Sequence, residues 1–392
     1  MNMKQAKVGF IGAGSFVSGY HLLTARDSRN MHIQAIADIN EETLRVQTAK
    51  FHPTYVTTDY QRLLKDPDID LIIIGTKHDL HAKLIIEALD AGKWVFCEKP
   101  MAQDDAEARA VLEACRRNRG RLAIGFNRRF SPAYRELKRL IQSTPKPWFF
   151  YYRQMCPYIN KADFYYNQAH ILYEGSHILD LAHWLMDALP VRLNMTGSLE
   201  NNCVQMEFED GSQFMLLCGT LGSYSYWKEQ LEFCAENHAI NIADMVDMRV
   251  RGWPGEFDRL FPPYLNEKKE EVLKYGFDFY DCLRSELVYR NKEFIQKWNI
   301  PMEHVRRPAT LPPPYDIDEY RKENPELQIF FPDKGWRQSL IHFADCLLNG
   351  SEPENASGVD GAVSTEIAMA LLDSLQKRQR VIFHSQFLTI AP

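Results

Sequence analysis

The chain has 392 residues, 45% hydrophobic and 25% charged, with a formal net charge of −6. This length leads us to expect two domains, and the acidic balance argues against a nucleic-acid or anionic-membrane surface. No apolar run approaches the roughly 18–20 residues that span a bilayer, the first ten residues lack a signal-peptide core, and the eight cysteines are scattered with no CxxC pair, so a reducing cytoplasm is expected in place of a zinc cluster or disulfide framework.

Taken in order, Val8 to Ile11 reads as a short buried strand and Gly12 and Gly14 as a tight turn. Ser15 is placed to cap a helix that runs on through Phe16, Tyr20, Leu22 and Leu23. Strand, glycine turn and helix N-terminus favour an anion, because free backbone N–H groups converge there. In a βαβ unit the natural ligand is the pyrophosphate of a dinucleotide. The third slot of the glycine fingerprint holds Val17 instead of Gly or Ala. The next strand, His32 to Ala37, ends at Asp38, 24 positions after Gly14, where an acid would hold a ribose 2′-hydroxyl. The plainer reading of Asp38 is a helix N-cap. Ile39 and Asn40 follow it, with no Arg to neutralise a 2′-phosphate, so NAD is expected over NADP.

Glu41 to Lys50 reads as a helix, Tyr55-Val56 as a short strand and Tyr60 to Lys65 as a helix. Asp70-Leu-Ile-Ile-Ile-Gly75 is apolar without alternation, as in a strand buried on both faces of a parallel sheet. Helix His81 to Ala91, strand Trp94 to Cys97, helix Asp104 to Arg117 and strand Leu122 to Gly125 complete an α/β alternation, a doubly wound parallel sheet. Its ligand should lie beyond the strand carboxyl ends, which carry Gly12, Gly14, Asp38, Thr76 to His78, Glu98 to Pro100 and Phe126 to Arg129. We therefore divide the chain into a cofactor domain at 1–126 and an α+β domain at 127–392.

In the second part, Ala133 to Ile141 and Glu174 to Met186 read as helices and Trp148 to Met155 as an aromatic strand. Residues 191–250 alternate with turn signals as an open, mainly antiparallel meander. Residues 251–334, rich in Pro, Tyr, Phe, Lys and Glu, read as an insertion with a helix at Glu267 to Leu287. Helices Gly335 to Leu348 and Val359 to Gln376 and a strand Val381 to Ser385 close the chain.

Lys99, between Glu98 and Pro100 at a strand end, points toward the crevice, where its charge could orient a substrate hydroxyl and stabilise an alkoxide. The bland alternative is a solvated Lys beside a Glu. On a continuous helix Tyr173, His177 and Asp180 share a face, so Asp180 could orient the His177 ring for proton transfer; a His satisfied at a helix surface is the commoner outcome. His183 has only that plain reading, and His78 and His81 flank the cofactor edge as contacts or caps. Glu174, His177 and Asp180 form too sparse a set for a metal, and none is expected.

These pieces together resemble the glucose–fructose oxidoreductase/inositol dehydrogenase family (Gfo/Idh/MocA). The resemblance is carried by GFIGAGS with Asp38, Thr76 with His81 downstream, AGKWVFCEKPMA around Lys99, GFNRRFSP (Gly125 to Pro132), GSHILD (Gly175 to Asp180) and the closing HFADCLLNG and VDGAVSTEIAMALLDS segments. It implies a Rossmann domain, an α+β domain whose sheet covers the nicotinamide and makes a homodimer or homotetramer face, and a sugar, sugar derivative or polyol as substrate. By position Lys99 matches the family's active-site lysine, His177 its acid/base histidine and Asp180 the Asp three residues on. The family's DxGxH motif has Asp four residues before that His; here the position is Tyr173. Glu174 is adjacent but on a helix would point elsewhere, which leaves Tyr173 itself, its pKa lowered by Lys99, as an alternative proton donor. Cofactor contacts are expected from Gly12, Gly14, Ser15, Phe16, Asp38, Thr76, His78, His81, Glu98, Lys99 and Asn127. Substrate contacts are expected from Lys99, Arg128, Arg153, Tyr173, His177 and Asp180, with Arg129 a further candidate. The alternatives to a CH–OH dehydrogenase are an NAD-assisted glycoside hydrolase of the same family and a non-catalytic NAD-binding protein.

Overall fold

The first strand, β1 (Ala6–Ile11), lies inside a six-stranded sheet of order β3-β2-β1-β4-β5-β6, parallel throughout. The other strands are β2 (Met31–Ala37), β3 (Tyr55–Thr57), β4 (Leu71–Ile74), β5 (Trp94–Cys97) and β6 (Leu122–Ile124). The apolar run of β4 is buried from end to end, as helices on both faces of a parallel sheet require. The strand order reverses between β1 and β4, which opens the ligand crevice at their carboxyl ends. A computed structural model describes residues 4–157, 169–223, 226–263, 269–281, 284, 296 and 332–387.

The turn after β1 differs from the expected one in two ways. Gly14, not Ser15, is the N-cap of α1 (Ser15–Gly19), and the chain breaks at Tyr20 before resuming as α2 (His21–Asp27). Gly12 has φ +89°, and a Cβ on it would lie 2.5 Å from the Gly75 carbonyl oxygen. The missing third glycine is compensated from the other side. A Cβ on Gly75, just after β4, would lie 2.2 Å from Val17 Cγ2, so the strand supplies the close helix–sheet approach that a helix glycine usually allows. Asn40, not Asp38, caps α3 (Glu41–Phe51), accepting from the Glu42 and Thr43 N–H groups at 2.9 and 3.1 Å.

The second sheet has nine strands in the order β14-β13-β12-β11-β7-β10-β9-β8-β15. β7 (Phe149–Pro157) sits between β10 (Gln213–Gly222) and β11 (Glu229–Ala235), parallel to the first and antiparallel to the second. The remaining pairs, among β8 (Arg192–Gly197), β9 (Asn202–Glu207), β12 (His238–Ala243), β13 (Asp247–Arg251), β14 (Arg259–Leu260) and β15 (Val381–Ile382), are antiparallel. Along β7 the residues Phe150, Tyr152, Gln154 and Cys156 are buried while Phe149 and Tyr151 are exposed, the period-2 pattern of a sheet covered on one face.

After α3 come α4 (Gln61–Lys65), α5 (His81–Asp90), α6 (Asp105–Asn118) and α7 (Pro132–Ile141). The helix expected at Glu174 to Met186 starts at Ser176, as α9 (Ser176–Met186), and a separate short helix, α8 (His170–Tyr173), precedes it across a break at Glu174-Gly175, so Tyr173 does not share a continuous helix with His177 and Asp180. Of the 251–334 insertion, β14 and a helix at Lys269–Tyr275 are seen; the helix expected to Leu287 breaks at Gly276, whose φ is +84°, and is helical again over residues 277–281, while of residues 282–287 only Arg284 is described. The closing helix Trp336–Asn349 buries Leu340, Phe343 and Ala344 in the core of the first sheet, beside Phe10 and Phe96. The last helix, Gly358–Lys377, starts with a reciprocal Ser357–Asp360 capping box and packs against the second layer, on α9 and β8, and against the helix Asp105–Asn118 of the first.

Candidate active site

The carboxyl ends of β1, β2, β4, β5 and β6 meet as the topology requires. Asp38 accepts the Ala13 N–H at 2.8 Å and the Asn40 N–H at 2.9 Å, so it braces the glycine turn against the end of β2. Phe16 packs on Tyr20 and Trp336 at the rim. Thr76 follows Gly75, its hydroxyl on the Lys77 carbonyl. His81 is buried and its Nδ1 donates to the Pro100 carbonyl at 2.8 Å, which holds the loop after β5. Two features fit a bound dinucleotide. Nothing lies within 4 Å of a Cβ built on Gly14, which leaves room for a phosphate against the backbone. Beyond β6, Asn127 Nδ2 donates to the Lys334 carbonyl at 2.6 Å while its Oδ1 is buried with no partner, an acceptor that a ligand amide can satisfy.

Sequence reasoning missed His21. Its Nε2 is 2.7 Å from Glu98 Oε1 and its ring packs edge-on against Phe96. Both partners are buried, so Glu98, next to Lys99, is fixed from the second helix. The only local signal was a polar residue inside an apolar helical run.

Lys99 Nζ donates to the Tyr173 carbonyl at 2.9 Å and to Glu174 Oε1 at 3.0 Å. This corrects two expectations. Glu174 does not point away, because the break before α9 swings it to the lysine. The Tyr173 hydroxyl does not meet Lys99; it donates to Gln103 Oε1 at 3.2 Å, with its ring stacked on His78 at 4.8 Å. Burial, with the nearby Asp79 and Glu107 carboxylates, pushes the Tyr173 phenol up to about 12, opposite in direction to the lowering expected from Lys99. A second lysine, Lys228, reaches Glu174 Oε2 at 2.5 Å. Despite burial, which acts upward, the two ammonium groups hold Glu174 well below the usual carboxylate range.

His177 lies on α9 against Phe126. Burial pushes it well below its ordinary value, helped by the charges of Arg128 and Lys99, so the ring is neutral near pH 7. Its Nδ1 is buried without a partner. Asp180 does not orient it: Asp180 is held by the Arg129 fork at 2.6 and 2.9 Å, and Arg129 also reaches Asp360 at 2.8 Å. Arg128 is likewise committed, to Glu229 at 2.7 and 2.8 Å, and Glu229 also accepts from Lys334 at 2.7 Å and the Tyr152 hydroxyl at 2.6 Å. Arg153 belongs to the outward face of β7, on the Trp227 carbonyl and over the Tyr226 ring. Asp180, Arg128 and Arg153 are therefore framework in this geometry, and the groups left facing one another are Lys99, Glu174, Lys228, His177 and Tyr173. Among the described residues no set of three or more His, Cys, Asp or Glu is placed to hold a metal ion, and no helix is long and apolar enough to cross a membrane.

Residues 6–126 match a family model, GFO_IDH_MocA, described as an oxidoreductase family with an NAD-binding Rossmann fold. An uncharacterized oxidoreductase, YrbE, of Bacillus subtilis is 37% identical over 140 residues, 36% of this chain and 41% of that protein. An inositol 2-dehydrogenase of Salmonella typhimurium is 33% identical over 139 residues, 35% of this chain and 41% of that protein. The matched stretch thus spans less than half the length of these relatives. Solved structures extend the likeness in fold to almost the whole chain. An oxidoreductase from Agrobacterium radiobacter, in complex with NAD+, L-tartaric acid and magnesium, covers 97% of this chain and 98% of its own at TM-score 0.73 and 16% identity. Myo-inositol dehydrogenase from Lactobacillus casei, in complex with NAD(H) and myo-inositol, covers 98% and 99% at TM-score 0.68 and 17% identity.

Proposed function

We propose, from the match of residues 6–126 to the Gfo/Idh/MocA oxidoreductase family model, that the chain is an NAD-dependent oxidoreductase of that family interconverting a hydroxyl and a carbonyl of a sugar, sugar derivative or polyol. The observation that carries the reading is the placement of Lys99. Its ammonium stands at the end of β5, beside the crevice of the parallel sheet, held by Glu174 and the Tyr173 carbonyl.

Gly12, Gly14 and the backbone of α1 would hold the diphosphate, Asp38 the adenosine ribose, and Glu98 and Asn127 the nicotinamide half. When bound, NAD supplies the hydride acceptor or donor. Lys99 orients the substrate oxygen and stabilises the negative charge that develops on it. His177, neutral near pH 7, takes the hydroxyl proton in oxidation and returns it in reduction. Glu174 keeps Lys99 charged and fixes its direction. The reading includes a homodimer or homotetramer formed through the outer face of the nine-stranded sheet, and a reducing compartment, in keeping with the free thiols of the described cysteines.

The test is NAD reduction with a panel of sugars and polyols. Lys99→Ala should lower kcat/KM by roughly 10²–10³-fold, the size typical of losing one preorganised charge-stabilising donor. Equal activity of wild type and variant would sink the assignment.

A further inference from the structure

Glu174 is one carboxylate between two ammonium groups, Lys99 on Oε1 and Lys228 on Oε2. The three side chains are 11%, 27% and 26% exposed for Lys99, Glu174 and Lys228, so the trio is mostly enclosed but not sealed from solvent. The carboxylate can offset only one of the two lysines.

The groups around the trio do not offset the other. Glu229, the second acid acting on Lys228, is fully buried and already held by Arg128 and Lys334. Asp244 lies behind that inner group, accepting the Tyr280 hydroxyl at 2.7 Å and acting on Lys334. The Cys156 thiol beside Glu174 and Lys228 is pushed up by burial and carries no charge near neutral pH. His170 and His177 are pushed down by burial and are neutral, His170 at about 4. Lys99, Glu174 and Lys228 together therefore carry one ammonium more than they have carboxylates, and Glu98, next to Lys99, is directed at His21 at 2.7 Å.

A charge held mostly out of water is unfavourable until it is paired. A neutral polyol can hydrogen-bond to an ammonium but cannot pair its charge, whereas a monoanion matches the single surplus. Lys99 already directs two of its N–H donors at Glu174 and the Tyr173 carbonyl. Lys228 is the more open of the two lysines, with Glu174 as its short contact. We propose that the substrate of this site is a sugar acid or other polyol bearing one carboxylate, and that Lys228 receives that carboxylate while Lys99 engages the reacting oxygen. The inference rests on the oxidoreductase reading for the second half of that statement only.

Calorimetric titration of the protein, with and without NADH, using D-gluconate against D-glucitol and D-glucuronate against D-glucose, tests it. Wild type should bind the acid of at least one pair ten or more times tighter than its neutral partner, and the acid's affinity alone should fall as NaCl is raised. Lys228→Met should bring the ratio to about one, and Lys228→Arg should keep most of it. A wild-type ratio near one in both pairs, or a ratio that Lys228→Met leaves intact, overturns the proposal. Should Lys228→Met not fold, the wild-type ratio and its salt dependence decide. Failure of NADH to bind overturns the oxidoreductase reading instead, and the ratio measured without NADH still judges the charge argument.

Discussion

Tyr173 occupies the position where the resembled family carries an acid, yet Lys99 takes hold of its backbone carbonyl and leaves its hydroxyl to Gln103. With the phenol at about 12, Tyr173 stays protonated through the whole working pH range and has no proton to exchange near neutrality. Tyr173→Phe should therefore keep kcat/KM within about threefold of wild type, with an unchanged pH profile between pH 7 and pH 10, since the hydroxyl is turned to Gln103 and away from the Lys99 ammonium. A loss beyond roughly a hundredfold, or a vanished alkaline limb, would return the proton to the phenol. At this scale the sequence was readable where a position is set locally. Lys99 stood out because it ends an apolar strand, and Gly12, Gly14 and Asp38 because their spacing is set by one βαβ unit. Glu174 was misplaced because a continuous helix was assumed, and the break at Glu174-Gly175 changes which side chain meets the lysine. The commitment of Arg128 to Glu229, of Arg129 to Asp180 and of His21 to Glu98 depends on pairs far apart in the chain, which periodicity does not encode.

The turn between β1 and α1 shows how an element tolerates a departure from its pattern. Val17 stands where a small residue is usual, and Gly75 on the neighbouring strand end makes the room. Gly75→Ala should force α1 off the sheet, destabilise the protein by about 1–3 kcal/mol through overpacking and weaken NAD binding. Val17→Ala in the same chain should restore most of both, because the two side chains meet at one contact and their effects are not additive. Denaturant melts and NADH titration of the two single variants and the double variant check this; additive losses would mean that the contact is not the cause. The strands themselves were legible from uninterrupted apolar runs in the first sheet and alternation in the second. The position of β7 was not: it is inserted between β10 and β11, and the pattern of each strand is the same whichever neighbour it has.

At the scale of the molecule, the outer face of the second sheet exposes Phe149, Tyr151 and Met215 at 52%, 40% and 50%. Tyr151 and Met215 are register partners, so the apolar surface is continuous across two strands, as in surfaces that meet a partner. Light scattering should give a dimer or tetramer for wild type and a smaller species for Met215→Lys, with the far-ultraviolet spectrum unchanged. A monomeric wild type would remove the sheet face as an assembly surface. Neither this continuity nor the return of the helix Trp336–Asn349 to the first sheet could be read from residue order.

That return has a consequence for how the protein is made. The strands of the first sheet are all synthesised by Ile124, but the helix that covers Phe10 and Phe96 begins only at Trp336. A ribosome-bound chain must therefore carry a half-clad greasy surface through most of its translation. Completion of the nucleotide half thus waits for a segment encoded after most of the second sheet, and a chaperone that shields aromatic surface has that whole interval in which to be needed.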